Sequence, residues 1–115
     1  MNKKIGEIIR EIRNEKGISL RKLAEIVNVS NVNILYIEKG KINTSLPILK
    51  GIAKALNYNI DKLLALADMI DDDIRNIINK RPISITNFLR AAKNLTNDDW
   101  NILTKQVLNM NSKVS

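Results

Sequence analysis

The chain has 115 residues, of which 44% are hydrophobic and 3% aromatic, and it carries a formal net charge of +7. That length suits one compact domain, or one small domain with a helical appendage. The absence of cysteine and histidine removes disulfides, thiol nucleophiles, ordinary zinc sites and imidazole acid–base chemistry together.

No apolar run reaches the ~18 residues of a membrane span, and the N-terminus enters an amphipathic pattern without the apolar block of a signal peptide. The expectation is therefore a cytoplasmic, non-enzymatic protein that uses no cofactor or metal and meets no membrane. The positive charge is uneven: residues 1–67 carry 12 Lys/Arg against 6 Asp/Glu, and residues 68–115 carry 7 against 6. A basic N-terminal part suits a polyanionic partner, although charge alone supplies attraction without specificity.

Ile5, Ile8, Ile9 and Ile12 recur at helical spacing among Lys4, Glu7, Arg10 and Glu11, which predicts a first helix over residues 3–16, ended by Gly17. Ser19 is the N-cap of a second helix running to about Val27, and Asn28 stands in the turn, where asparagine tolerates the left-handed conformation of a sharp helix exit. Ser30 caps a third helix that runs to about Lys39 before Gly40 stops it. Leu46–Leu56 reads as a fourth helix, with Pro47 in its first turn where a missing amide proton costs little, and Ile60–Ala67 as a fifth.

Beyond Ala67 the pattern stays helical. Asp71, Asp72 and Asp73 place negative charge at a helix start, ahead of an apolar stripe of Ile70, Ile74, Ile77 and Ile78. A calcium loop needs six or more oxygen ligands and usually a turn glycine, and no glycine follows these aspartates. Pro82 breaks this helix. Ile85, Phe88, Leu89 and Ala92 mark another, and Thr96 with Asp99 forms a capping box for a last helix bearing Trp100, Leu103, Val107 and Met110. The polar end from Asn111 onward is expected to fray.

The stretch from Ile18 to Glu38, ISLRKLAEIVNVSNVNILYIE, is laid out as two short helices joined by a tight turn. Leu23, Ala24, Val27, Val29, Ile34 and Ile37 fall where two crossed helices touch. This spacing resembles the helix-turn-helix of the phage-repressor-like (XRE, lambda-repressor-like) transcription regulators. The likeness continues through Ile37-Glu38-Lys39-Gly40, Ser45-Leu46-Pro47, the Leu49, Ile52, Ala53, Ala55 and Leu56 pattern, and Asn59 to Leu64. It implies an all-α fold, with a five-helix DNA-binding head at residues 1–67 and a helical dimerisation or interaction segment at residues 68–115. The implied function is sequence-specific binding of double-stranded DNA by a transcription regulator, more often a repressor than an activator.

A recognition helix lies in the major groove with its early residues facing base edges. The outward positions of the third helix are Asn31, Val32, Leu35 and Tyr36. Asn31 can bond adenine in bidentate fashion, worth about 1–3 kcal/mol of discrimination, and Val32 can pack on a thymine methyl. The resemblance implies that Asn31, Val32 and Tyr36 reach bases; the plain alternative for Asn31 and Val32 is an ordinary surface position. Phosphate contacts fall to helix ends and the basic rim: Ser19, Arg21, Lys22, Lys39, Lys41, Asn43, Thr44 and Ser45, any single lysine of which could equally be a solvated charge. The resemblance further implies that Arg13 and Glu38 form a structural ion pair. Leu20 departs from the family, whose members often carry a phosphate-touching glutamine there, so no operator carries over from a relative.

One such module binds weakly, and specificity usually comes from a homodimer reading half-sites about 34 Å apart. Ile70, Ile74, Ile77, Phe88 and Trp100 are the candidate dimerisation residues; the plain alternative is that these helices pack on one another as a small bundle, and the two are compatible. The two-part layout also resembles relatives whose C-terminal helical element an antagonist protein can engage, which implies an antagonist protein as a candidate partner here. A competing reading makes the chain a protein-interaction module, an antitoxin or antagonist, with Leu20, Leu35 and Tyr36 forming an apolar contact face.

Overall fold

The computed structural model describes residues 3–114, and among these it holds eight α-helices and no strand. They are α1 (Lys3–Glu15), α2 (Leu20–Val27), α3 (Asn31–Glu38), α4 (Leu46–Ala55), α5 (Ile60–Leu66), α6 (Asp72–Lys80), α7 (Pro82–Ala91) and α8 (Asn97–Val114). The chain forms two compact units, one ending at Arg75 and one beginning at Asn76. No helix among the described residues is long and apolar enough to cross a membrane.

In the first unit α3 packs on α1 and α2, α4 packs on α2 and α5, and α1 also meets α5. The core is built from the faces the sequence pattern marks: Ile5, Ile9 and Ile12 of α1, Leu23 and Ala24 of α2, Ile34 and Ile37 of α3, Leu49, Ile52 and Ala53 of α4 with the capping Leu56, and Leu63 and Leu64 of α5. Full burial of each large aliphatic side chain contributes about 1.5–3 kcal/mol. At Gly6 the α1 backbone lies close against the end of α3. A methyl added there would sit 2.5 Å from the Glu38 carbonyl oxygen and closer still to that of Ile37.

All five helices of this unit end alike. Gly17, Asn28, Gly40, Asn57 and Asp68 have positive φ, between 51° and 70°. Around each, the residue's amide bonds back three positions and the next residue's amide bonds back five, as in Ile18 N to Arg13 O (3.0 Å), Val29 N to Ala24 O (3.0 Å), Lys41 N to Tyr36 O (2.8 Å), Tyr58 N to Ala53 O (2.9 Å) and Met69 N to Leu64 O (2.8 Å). This Schellman arrangement satisfies carbonyls that a helix end would otherwise leave open. Four of the following residues, Ile18, Val29, Tyr58 and Met69, pack against the core.

Past α5 the first unit is extended by Met69, which packs on the core, and by Asp71. The Asp71 carboxylate accepts bonds from Lys50 Nζ (3.1 Å) and the Asp72 amide (2.8 Å). Together these hold the carboxyl below its ordinary value, the lysine contact being the larger cause. The aspartate triplet therefore acts as a helix start.

In the second unit Phe88 of α7 and Trp100 of α8 meet edge to face, with ring centroids 6.0 Å apart, a favoured aromatic geometry. Thr96 Oγ1 accepts from the Asp99 amide and Asp99 Oδ2 from the Thr96 amide, both at 3.1 Å, forming the capping box of α8. α8 runs through Val114, so the polar end from Asn111 continues the helix, and Ser112 Oγ donates to the Asn109 carbonyl at 2.9 Å.

Candidate nucleic-acid interface

Ser19 and Ser30 set the two helices of the motif. Ser19 Oγ accepts from the Lys22 amide (3.0 Å) and Ser30 Oγ from the Asn33 amide (3.1 Å), each cap contributing about 1 kcal/mol. Asn28, at φ 63°, turns the chain between them. Ala24 is buried in α2, which packs on both α3 and α4, and its small side chain suits close helix approach.

On α3 the burial follows the helical repeat. Ile34, Ile37 and Glu38 face inward, and Asn31, Val32 and Tyr36 are exposed. Leu35 is set apart from these three: it is half-buried and lines, with Leu20, Arg10, Arg13, Glu38 and Lys39, a pocket of about 170 Å³. Leu20 itself packs against the core. The structure thus leaves Leu20 and Leu35 beside one another, half-covered, and keeps Asn31, Val32 and Tyr36 open.

Arg13 and Glu38 are 9% and 6% exposed. Arg13 Nε donates to Glu38 Oε2 at 2.7 Å, Nη2 donates to Oε1 at 3.0 Å, and Nη1 donates to the Ile18 carbonyl at 3.0 Å. The hydrogen bond to Glu38 raises the arginine pKa against the opposing effect of burial, so the guanidinium stays charged. Glu38 is turned inward and does not belong to the exposed face of α3.

The expected phosphate-contacting residues occupy the rims. Ser19, Arg21 and Lys22 are exposed at the start of α2, and Lys39, Lys41, Asn43 and Ser45 are exposed between α3 and α4, where Thr44 is half-buried. Ser45 Oγ accepts from the Ile48 amide at 3.4 Å as the α4 cap. Capping uses an acceptor lone pair of Ser19 and Ser45 and leaves their O–H free to donate. Lys41 Nζ lies 5.5 Å from the centroid of the Tyr36 ring, a contact no sequence pattern announced. Gly6 is a second residue sequence reasoning passed over; a glycine within an apolar helix stripe was its one visible sign.

The expected dimerisation residues are distributed over both units. Ile70 and Ile74 are exposed in the first. In the second, Ile77 and Phe88 are exposed and Trp100 is half-buried, and Phe88 and Trp100 line, with Leu103, Thr104, Val107 and Leu108, an apolar pocket of about 230 Å³.

A helix-turn-helix family model matches residues 9–63. An uncharacterised HTH-type transcriptional regulator of Archaeoglobus fulgidus is 38% identical over 60 residues, covering 52% of this chain and 86% of the regulator. The competence pilus inhibition repressor of Acinetobacter baylyi is 32% identical over 69 residues, covering 60% of this chain and 63% of that repressor, so the match spans less than two thirds of the relative. Among solved structures, the restriction-modification controller protein C.AhdI of Aeromonas hydrophila superposes with a TM-score of 0.50 at 32% identity, covering 52% of this chain and 91% of that one. With the motif, the fold of its head and these relatives in agreement, the chain belongs to the helix-turn-helix family of DNA-binding transcription regulators, of the phage-repressor-like (XRE) type.

Proposed function

We propose that the chain is a sequence-specific, double-stranded-DNA-binding repressor that acts as a homodimer on an inverted-repeat operator. The observation that carries this is the open row of Asn31, Val32 and Tyr36 on a helix whose other side, Ile34 and Ile37, is buried. Asn31 reads adenine, Val32 a thymine methyl, and Tyr36 a base edge further along the groove; Leu35, half-covered beside Leu20, serves at the margin of that face. Ser19, Arg21, Lys22, Lys39, Lys41, Asn43, Thr44 and Ser45 fix the register through phosphates. Residues 1–67 are the DNA-binding head. Residues 68–115 hold the dimer through Ile70, Ile74, Ile77, Phe88 and Trp100. Repression, in place of activation, is supported by likeness to the Acinetobacter repressor. The protein works in the cytoplasm and catalyses no reaction.

A second reading, in which a partner or antagonist protein is bound, is favoured by the apolar pocket at Phe88 and Trp100. On that reading the pocket takes the partner and the head retains its DNA-binding role.

The test is selection from random duplexes at near-physiological salt, followed by affinity measurements across a salt series. Enrichment of an inverted repeat, lost on Asn31→Ala, supports the repressor reading. Weak binding without enrichment overturns it.

A further inference from the structure

The five helix ends of the head differ in one respect. After the left-handed residue, four helices place an apolar side chain on the core: Ile18, Val29, Tyr58 and Met69. Such a contact commonly accompanies this cap. After α3 the same position holds Lys41, which is exposed and turns outward over Tyr36 instead. The backbone sets the two residues side by side: Gly40 at φ 70° lets the Lys41 amide reach the Tyr36 carbonyl at 2.8 Å, and the Lys41 ammonium lies 5.5 Å from the ring centroid. Tyr36 is 40% exposed and lies on the open face with Asn31 and Val32.

We propose that Lys41 is a positioning residue for Tyr36, fixing its ring against the groove so that the lysine contributes to base discrimination as well as to phosphate affinity. A partly exposed tyrosine on a helix still has two χ1 wells open to it, and a ring that exchanges between them offers its hydroxyl to no single base. A cation held over one face removes part of that freedom, and it leaves the ring edge and hydroxyl for the DNA. One ammonium is then shared between a ring and the phosphate backbone, which couples the register of the protein on the duplex to the reading of one base pair. The proposal rests on the reading of α3 as the recognition helix.

The experiment uses the full chain and duplexes carrying the selected operator or each single base-pair change, with Lys41→Gln, Lys41→Arg, Tyr36→Leu and the Lys41→Gln/Tyr36→Leu double variant. Lys41→Gln is expected to weaken binding to every duplex and, in addition, to reduce discrimination at one base-pair position by about two- to fivefold, the range of an exposed cation–π contact. Lys41→Arg, which keeps a cation over the ring, restores that discrimination. In the Tyr36→Leu background, Lys41→Gln changes only the uniform affinity, the non-additivity expected of two residues acting as a unit. If Lys41→Gln weakens all duplexes equally and leaves every discrimination ratio unchanged, Lys41 is a phosphate contact only and the proposal is overturned. Wild-type protein that prefers no duplex overturns the reading of α3 itself, an outcome distinct from the first.

Discussion

Arg13 Nε lies 2.7 Å from Glu38 Oε2 and Arg13 Nη2 lies 3.0 Å from Glu38 Oε1, so a two-pronged ion pair fastens the last turn of α3 to α1. One turn pair earlier on α1, Gly6 lies against the carbonyls of Ile37 and Glu38. α1 therefore holds the end of α3 at two points seven residues apart.

Both carboxylate oxygens of Glu38 depend on Arg13, and removing one partner of a buried pair strands the other. Arg13→Met should cost about 3–5 kcal/mol of stability, whereas Arg13→Met with Glu38→Leu should cost much less than the two single changes together. Urea unfolding followed by circular dichroism measures both; a single-variant loss under about 1 kcal/mol would show the pair to be inert.

Two effects oppose each other at Gly6. Alanine improves helix propensity by about 1 kcal/mol, but its methyl must displace backbone carbonyls, not a flexible side chain, and overpacking of this kind costs about 1–3 kcal/mol or more. Gly6→Ala should thus lower the melting temperature by several degrees, and an unchanged or raised value would mean that α1 and α3 separate without penalty.

On the proposed operator, Asn31→Ala should remove about 1–3 kcal/mol of discrimination at one base pair. Lys39→Gln should instead weaken binding to all sequences alike and reduce the salt slope by about one. Titrations of matched and mismatched duplexes at several salt concentrations separate the two patterns.

Asp71 is held below the ordinary aspartate value by Lys50 Nζ and by the Asp72 amide. A depressed carboxyl stabilises the fold above its unfolded pKa, and that contribution disappears as the pH falls through the lowered folded value. Lys50→Met should therefore move the Asp71 titration upward and make the start of α6 lose order at a higher pH on acidification. Carboxyl carbon shifts recorded against pH follow this directly; an unmoved titration would show that the backbone amide alone sets it.

If the second unit carries the dimer, Phe88→Asp should disrupt the Phe88–Trp100 contact and the adjoining pocket. The expected result is a shift from dimer to monomer in sedimentation, with the helical content of the head retained. A protein that is monomeric before the change removes the homodimer from the proposal.

The order and ends of the head helices were legible because the signals are local. Ser19 and Ser30 bond amides three residues on, and Gly17, Asn28 and Gly40 take the left-handed conformation that their residue types allow. Asn57 and Asp68 do the same but sit in runs where asparagine and aspartate are also common on exposed loops, so their sequence gave no separate sign. Periodicity located the buried stripe of each helix for the same reason: burial repeats with the helical turn.

The sequence by itself determined which segments are helical, which face of each is apolar, and which family motif they spell. Only the tertiary structure decided which side chains meet across helices. It placed Gly6 under the end of α3, Leu20 beside Leu35, Lys50 on Asp71 and Lys41 above Tyr36. Helix periodicity assigns a side chain to a direction on its own axis, whereas these contacts depend on how neighbouring axes cross and how turns redirect the chain, and packing alone fixes both.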